Sequence, residues 1–458
     1  MVQSVDFESA LAVSRFGLGA GVDGLSAVRG DVRAGLHDEI RRGAPPVSRR
    51  SPLPATPELL SELLDLVNLE HAQRAKIADG SPLPVNDNPV GKIFKAEIEA
   101  RYNGTCVEPE IGFNERLVMF WANHFAIATA KSRTVRIMTG AYEREAIRPN
   151  IFGRFTDLVL AVETHPCMLT FLDNTTSTGP NSHDAFVNDR GLNENLAREV
   201  MELHVLGVGS GYTQADVTNF AKALTGWTIN NRQNDPDLAY GEFKFAASKH
   251  QPGHQVILGK AYDNHGFFQA ADILTDLCQR PAAARFIATK LARHFVSDTP
   301  PQSLVDRLAD TFHDTGGDLG EVSHVLIDSD EAWAPQAVKI RSPQEWLIAT
   351  LRSTGLTPQA SKVTTSLTNM GQPQWNPSGP NGFSDAFAAW ATPEGLTARM
   401  NIAGDMAAEA PDDIDPRAFA EAVLGPRLSD TTRAAIAHAE SAQQGLSLVF
   451  LSPEFLRR

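Results

Sequence analysis

NENLAREVMELHVLGVGSGYTQADVTNFAKALTGWT, residues 193–228, reads as two helices joined by a glycine-rich turn. Asn193 or Asn195 can cap the first helix, whose body runs to about Leu206 and stops at Gly207 and Gly209. At about 100° per residue, Asn195, Arg198, Glu199 and Glu202 share one polar face, and Leu196, Val200 and Leu203 the opposite one. Glu199 and Glu202 stand three apart, so their carboxylates can converge to hold a divalent cation or to share a proton. The same spacing also suits a solvated face on which Arg198 neutralises the pair. On this ideal helix His204 points away from both carboxylates, toward the apolar side, as a core histidine. Thr213 caps the second helix, with Asp216 completing a capping box, and Val217, Phe220, Ala221 and Leu224 face inward. The chain leaves that helix through Gly226, and Trp227 follows as a core anchor or a pocket wall.

The helical period extends outward from this block. It recurs in residues 113–131, where Leu117, Phe120, Trp121, His124 and Ala128 share a face, and in 151–168, 281–296 and 304–312. β-branched alternation is scarce. Residues 242–246 (EFKFA) and 255–258 (QVIL) are the exceptions, and they read as the two arms of a hairpin. Pro-rich passages at 44–57 and 80–90 bracket a helix expected from Glu58 to Ile77. The expected fold is mainly α, a large multi-helix orthogonal bundle with a small β-hairpin insertion. Its expected divisions are 1–90, a helical segment with Pro-rich linkers; 91–355, the core; and 356–458, a C-terminal helical segment packed on that core.

The chain has 458 residues, which leaves room for about three domains at roughly 150 residues each. A formal net charge of −14 argues against unspecific nucleic-acid binding, which needs a basic footprint. No apolar run reaches the roughly 18 residues of a membrane-spanning helix. Cys106, Cys167 and Cys278 are far apart and form no C-x-x-C pair, so neither a disulfide framework nor a cysteine zinc site is expected. Asp6 and Glu8 precede the first Arg, unlike the basic start of a signal peptide. The expected location is therefore cytoplasmic, with export alongside a targeted partner as the alternative.

Three further segments carry chemistry-bearing side chains. In 112–131, His124 lies on the apolar face and Asn123 adds an amide at the same level. In 285–298, Lys290 and Arg293 form the most basic helix face, suited to pairing with Glu199 and Glu202 or to binding an anion, while His294 falls on the apolar side. In 249–265, His250, His254 and His265 lie in loop or strand text with no fixed ligand spacing. The chain lacks a dinucleotide fingerprint, a Walker loop, H-E-x-x-H and G-x-S-x-G.

The blocks RFGLGA (15–20), FWANHF (120–125), RPNIFGRFTDLVLAVETHPCMLTFLDN (148–174), residues 193–228, ARFIATKLARHFVSDTPP (284–301) and GQPQWNPSGPNGF (371–383) occur in that order. Together they resemble the bacterial domain-of-unknown-function 1800 family, although Cys167 stands where a small residue such as Ala is expected. The resemblance runs over nearly the whole chain and assigns no catalytic residue. It implies a possible partner in the domain-of-unknown-function 1501 family, whose members resemble sulfatases and often carry export signals.

Two functional readings follow. In one, the chain is a metal-dependent hydrolase or oxidoreductase in which Glu199, Glu202 and His124 are both the catalytic residues and the ligands of a divalent metal. In the other it is a non-catalytic scaffold or maturation partner of a co-encoded sulfatase-like hydrolase, and its Glu, Arg and Lys side chains form structural ion pairs.

Overall fold

The computed structural model describes residues 6–28, 30–47, 53–78, 88–107, 111–188, 191–230 and 237–458. Helices dominate it, and the strands amount to two short antiparallel pairs. The helix expected between the Pro-rich passages spans Thr56–Ala78, and residues 48–52 and 79–87 of those passages lie outside the described set.

Strand pairing departs from the expected hairpin. β1 (Trp227–Ile229) pairs with β2 (Phe243–Phe245), and β3 (Gln255–Ile257) pairs with β4 (Lys260–Tyr262). Phe243–Phe245 and Gln255–Ile257, within the two expected stretches, are thus extended, but each pairs with a different partner. The physical reason is a two-residue turn directly after β3. Leu258 and Gly259 both take positive φ, 49° and 82°, the geometry that matches strand twist and folds a chain straight back on itself. A Leu in that conformation gives no turn signal in sequence. Here the Asp216 carboxylate accepts its backbone N–H at 2.6 Å and holds it.

Two apolar cores organise the helices. The larger draws on residues from Ala10 to Trp333, including Leu117, Phe120, Trp121, Val200 and Leu291. The smaller gathers Trp346 to Phe455 with Phe94, Ile98 and Tyr102 of the Pro89–Val107 helix. The Phe113–His124 helix serves both. Trp121 packs into the first core and Met119 into the second, and residues 113–121 are all buried. A helix covered all round is a core helix, and this one delivers His124 to one core and Asn123 to the junction between the two.

Charge is buried at that junction as well. Arg116 and Arg458 each lie 3.1 Å from the Glu345 carboxylate, and all three side chains are at most 4% exposed. Such charges persist in a low-dielectric interior only with close partners. Cys167 and Cys278 are buried free thiols, pushed well above the ordinary range by burial. Among the described residues no helix is long and apolar enough to cross a membrane.

Candidate functional site

The first helix of the 193–228 block is not α-helical to its end. Asn195–Glu199 is α-helix, and Val200–His204 is a π turn closed by a bond from Val205 N–H to the Val200 carbonyl at 2.9 Å. The cap position is Glu194, which makes no side-chain cap bond; Asn193, one residue earlier, accepts the Asn195 N–H at 2.9 Å in a turn, so neither expected Asn occupies the cap. The Thr213–Asp216 capping box forms as expected.

A π turn holds more residues than an α turn, so side chains beyond Val200 lag behind their α-helical directions. Burial follows the new period. Leu196, Ala197, Val200, Met201, His204 and Val205 face the core, while Leu203 is only half-buried. This overturns the expected apolar role of Leu203. His204 is a core histidine, as expected, with one ring nitrogen bonded. Burial raises the carboxyl of half-buried Glu199.

His204 is fully buried, and its Nδ1 lies 2.7 Å from Oε1 of an equally buried Glu163, the last residue of the Phe155–Glu163 helix. The carbonyl of His204 accepts a hydrogen bond from Nε2 of His124 at 2.8 Å. His124 is therefore protonated on Nε2, and burial holds its basicity well below the usual imidazole value, with Lys290 next in effect. Three polar atoms of this group have no partner: His124 Nδ1, His204 Nε2 and Glu163 Oε2. Around them stand Phe125, 4.5 Å from His124 and 5.3 Å from His204 between ring centres, and Trp121, 5.2 Å from His124. Leaving such atoms unpaired costs about 1–3 kcal/mol each, so the cluster is not explained by stability.

The remaining expected site residues go elsewhere. Glu202 faces outward, 3.5 Å from Arg198, which also lies 3.0 Å from Glu194. That surface network continues to Gln214 and Thr218. Asn195 is exposed. Lys290 lies 5.5 Å from the Phe286 ring centre, and burial pulls its ammonium down to about 8. Exposed Arg293 bonds the Asp298 carbonyl at 3.3 Å, so neither cation forms the expected ion pair with Glu199 or Glu202. Trp227 is fully buried, stacked 5.2 Å from Phe267. His250 is buried and bonds the Thr225 carbonyl at 2.8 Å, whereas His254 and His265 are exposed. Asn123 exchanges two hydrogen bonds with the backbone of Phe383, at 2.9 and 2.7 Å.

Among the described residues, no group of three or more His, Cys, Asp and Glu side chains is placed to hold a metal ion. Glu199, Glu202 and His124 are not brought together: Glu202 turns to Arg198, and His124 sits behind the His204 backbone. Glu163 was not anticipated. It lies 41 residues before His204 and has no periodic relation to it; the run of Glu163, Thr164 and His165 after an apolar helix was the available signal.

A family described as "protein of unknown function (DUF1800)" matches residues 11–457, nearly the whole chain. The chain belongs to that family. No curated protein and no solved structure matches it significantly.

Proposed function

We propose that this DUF1800 chain is an enzyme working by acid–base chemistry, with half-buried Glu199 as the group that meets the substrate and the Glu163–His204 pair behind it. The carrying observation is the wholly buried 2.7 Å carboxylate–imidazole pair whose second imidazole nitrogen, Nε2, has no partner. In such a pair the carboxylate fixes the ring tautomer, so that Nδ1 donates and Nε2 presents a lone pair. Burial raises the Glu199 carboxyl above its ordinary range, the direction in which a carboxyl holds a proton to donate. A π turn at the same spot supports the reading, because such turns recur at functional sites. The reading of Glu199, Glu202 and His124 as metal ligands is not carried forward, given where Glu202 and His124 point.

The test is turnover by the purified chain on panels of ester, phosphate-ester, sulfate-ester and glycoside substrates, with and without added divalent ions. The carboxyl titration of Glu199 is followed by NMR in parallel. Expected are a metal-independent turnover lost in Glu199→Gln and in His204→Gln but kept in Glu202→Gln, and a Glu199 carboxyl titrating above the usual range. Full turnover in folded Glu199→Gln, strict dependence on an added ion, or an ordinary Glu199 titration without any turnover would each overturn it.

A further inference from the structure

A second, separate feature lies at the junction of the two cores. There the 371–385 passage folds back across the Phe113–His124 helix and leaves a partly open cavity of about 70 Å³. That is several times the space one water needs. Its walls mix aromatic rings (Trp375, Phe383, Trp390) with side-chain amides (Gln344, Gln372, Gln374).

Three properties of the wall define what fits. First, its charges cancel and each has a partner. Arg101 and Arg458 line it together with Glu345 and Asp385. Arg101 lies 2.7 Å from Glu143, Arg458 3.1 Å from Glu345, and Asp385 2.8 Å from the neutral His294 ring at Nδ1. No net charge is left over to select an ion. Second, hydrogen-bonding capacity remains in both senses. Arg101 is 3% exposed and spends its Nε on both Glu143 oxygens, at 2.7 and 3.0 Å, while its Nη1 has no partner. The oxygens of Gln372 and Gln374 accept from within the wall, leaving their NH₂ groups as donors, and Gln344 spends its NH₂ there and keeps its oxygen as an acceptor. Third, the aromatic surface is fixed. The Trp375 indole N–H donates to Glu143 at 3.1 Å, its ring stands edge-on to Phe94, and its backbone is held at φ 49°. A bulky residue takes that conformation only when its surroundings impose it.

We infer that this cavity binds a neutral carbohydrate unit, its ring face against the Trp375 side and its hydroxyls on Arg101 Nη1 and the three glutamine amides. Hydroxyls both donate and accept, as the wall requires, and a neutral ring needs no counter-charge. An anionic sugar or a zwitterionic amino acid would bring charge to a wall whose own charges are spent on one another, and would lose hydration without a new partner. The inference is independent of the Glu199 reading, since it uses none of the same side chains.

Saturation-transfer NMR and calorimetry on the full chain test it, with neutral hexoses and N-acetylhexosamines as probes and a hexuronic acid and a dipeptide as competitors. A neutral sugar is expected to bind. Arg101→Lys, which keeps a cation for Glu143 but removes the free donor, should weaken that binding about tenfold, as expected for one charge-assisted hydrogen bond. Gln372→Ala, a substitution at a half-buried loop position, should weaken it less, and Trp375→Leu should abolish the transfer signal. Circular dichroism and thermal melting establish that each variant is folded. Absence of binding by every neutral sugar at high millimolar concentration, preference for the uronic acid or the dipeptide, or undiminished binding in both Arg101→Lys and Gln372→Ala would overturn the inference.

Discussion

His204 Nδ1 lies 2.7 Å from Glu163 Oε1, and neither side chain exceeds 1% exposure. The pair bridges the Phe155–Glu163 helix and the π turn, so it fixes where the turn sits as well as which nitrogen carries the proton. Glu163→Ala should destabilise the fold by about 3 kcal/mol or more, because it strands a buried imidazole. Glu163→Gln retains an acceptor for Nδ1 and should cost about half as much. Urea denaturation of both variants checks the order. A Glu163→Ala midpoint equal to wild type would mean that the pair contributes nothing to the fold.

Glu199 and Glu202 sit three residues apart but should behave differently when neutralised. Glu202 belongs to a half-exposed ion-pair network, and such pairs contribute little, so Glu202→Gln should shift stability by no more than about 0.5 kcal/mol. The Glu199 carboxyl is raised by burial. A raised carboxyl means that the folded state holds its proton longer than the unfolded state, so stability falls as pH rises through that window. Glu199→Gln removes this loss and should raise the denaturation midpoint at pH 7, the behaviour of a side chain retained for function at a cost in stability. A lower midpoint would show that its carboxylate stabilises the fold.

These two residues also show how far the sequence carries the structure. Helix positions, the Thr213–Asp216 capping box and the mainly α fold follow from local signals: period, caps and glycine stops. The π turn leaves no such signal, and pairing His204 with Glu163 required the actual backbone. Glu163 and Arg101 were invisible for a different reason. Their partners come from distant helices, and only tertiary packing shows that an atom of each lacks a partner.

Acid should loosen the junction between the cores through His294. Burial, opposed by Asp385, pulls this imidazole down to about 4 from an ordinary value near 6.5. The unfolded chain therefore takes up a proton that the folded chain refuses between those values. The stability contributed by the neutral ring is complete above about pH 6.5 and is lost as pH falls toward 4, on the order of 3 kcal/mol for an uncoupled group. Denaturation midpoints measured at pH 7 and pH 4.5 should diverge in the wild type and converge in a folded His294→Gln variant. An equal drop in both would assign the acid sensitivity to other groups, the depressed Glu345 carboxylate among them.

Gly382 gives the sharpest test of how the 371–385 passage is held. Its φ is +71°, and a Cβ built there would stand 2.2 Å from the Asn123 carbonyl oxygen and 2.8 Å from the Asn123 side-chain oxygen. Backbone cannot yield that distance, so Gly382→Ala must lift the loop from the helix end and break the paired bonds between Asn123 and Phe383. The cost should be about 1–3 kcal/mol, from overpacking together with the strain of a left-handed Ala. It should be local: hydrogen exchange at the Phe383 amide accelerates sharply, while amides of the Phe155–Glu163 helix keep their protection. Because the loop carries Trp375 and Phe383, carbohydrate binding should fall in the same variant while any turnover at Glu199 persists. Simultaneous loss of both would show that the two sites share one cooperative unit, with the Phe113–His124 helix, which presents Asn123 to one and His124 to the other, as its physical link.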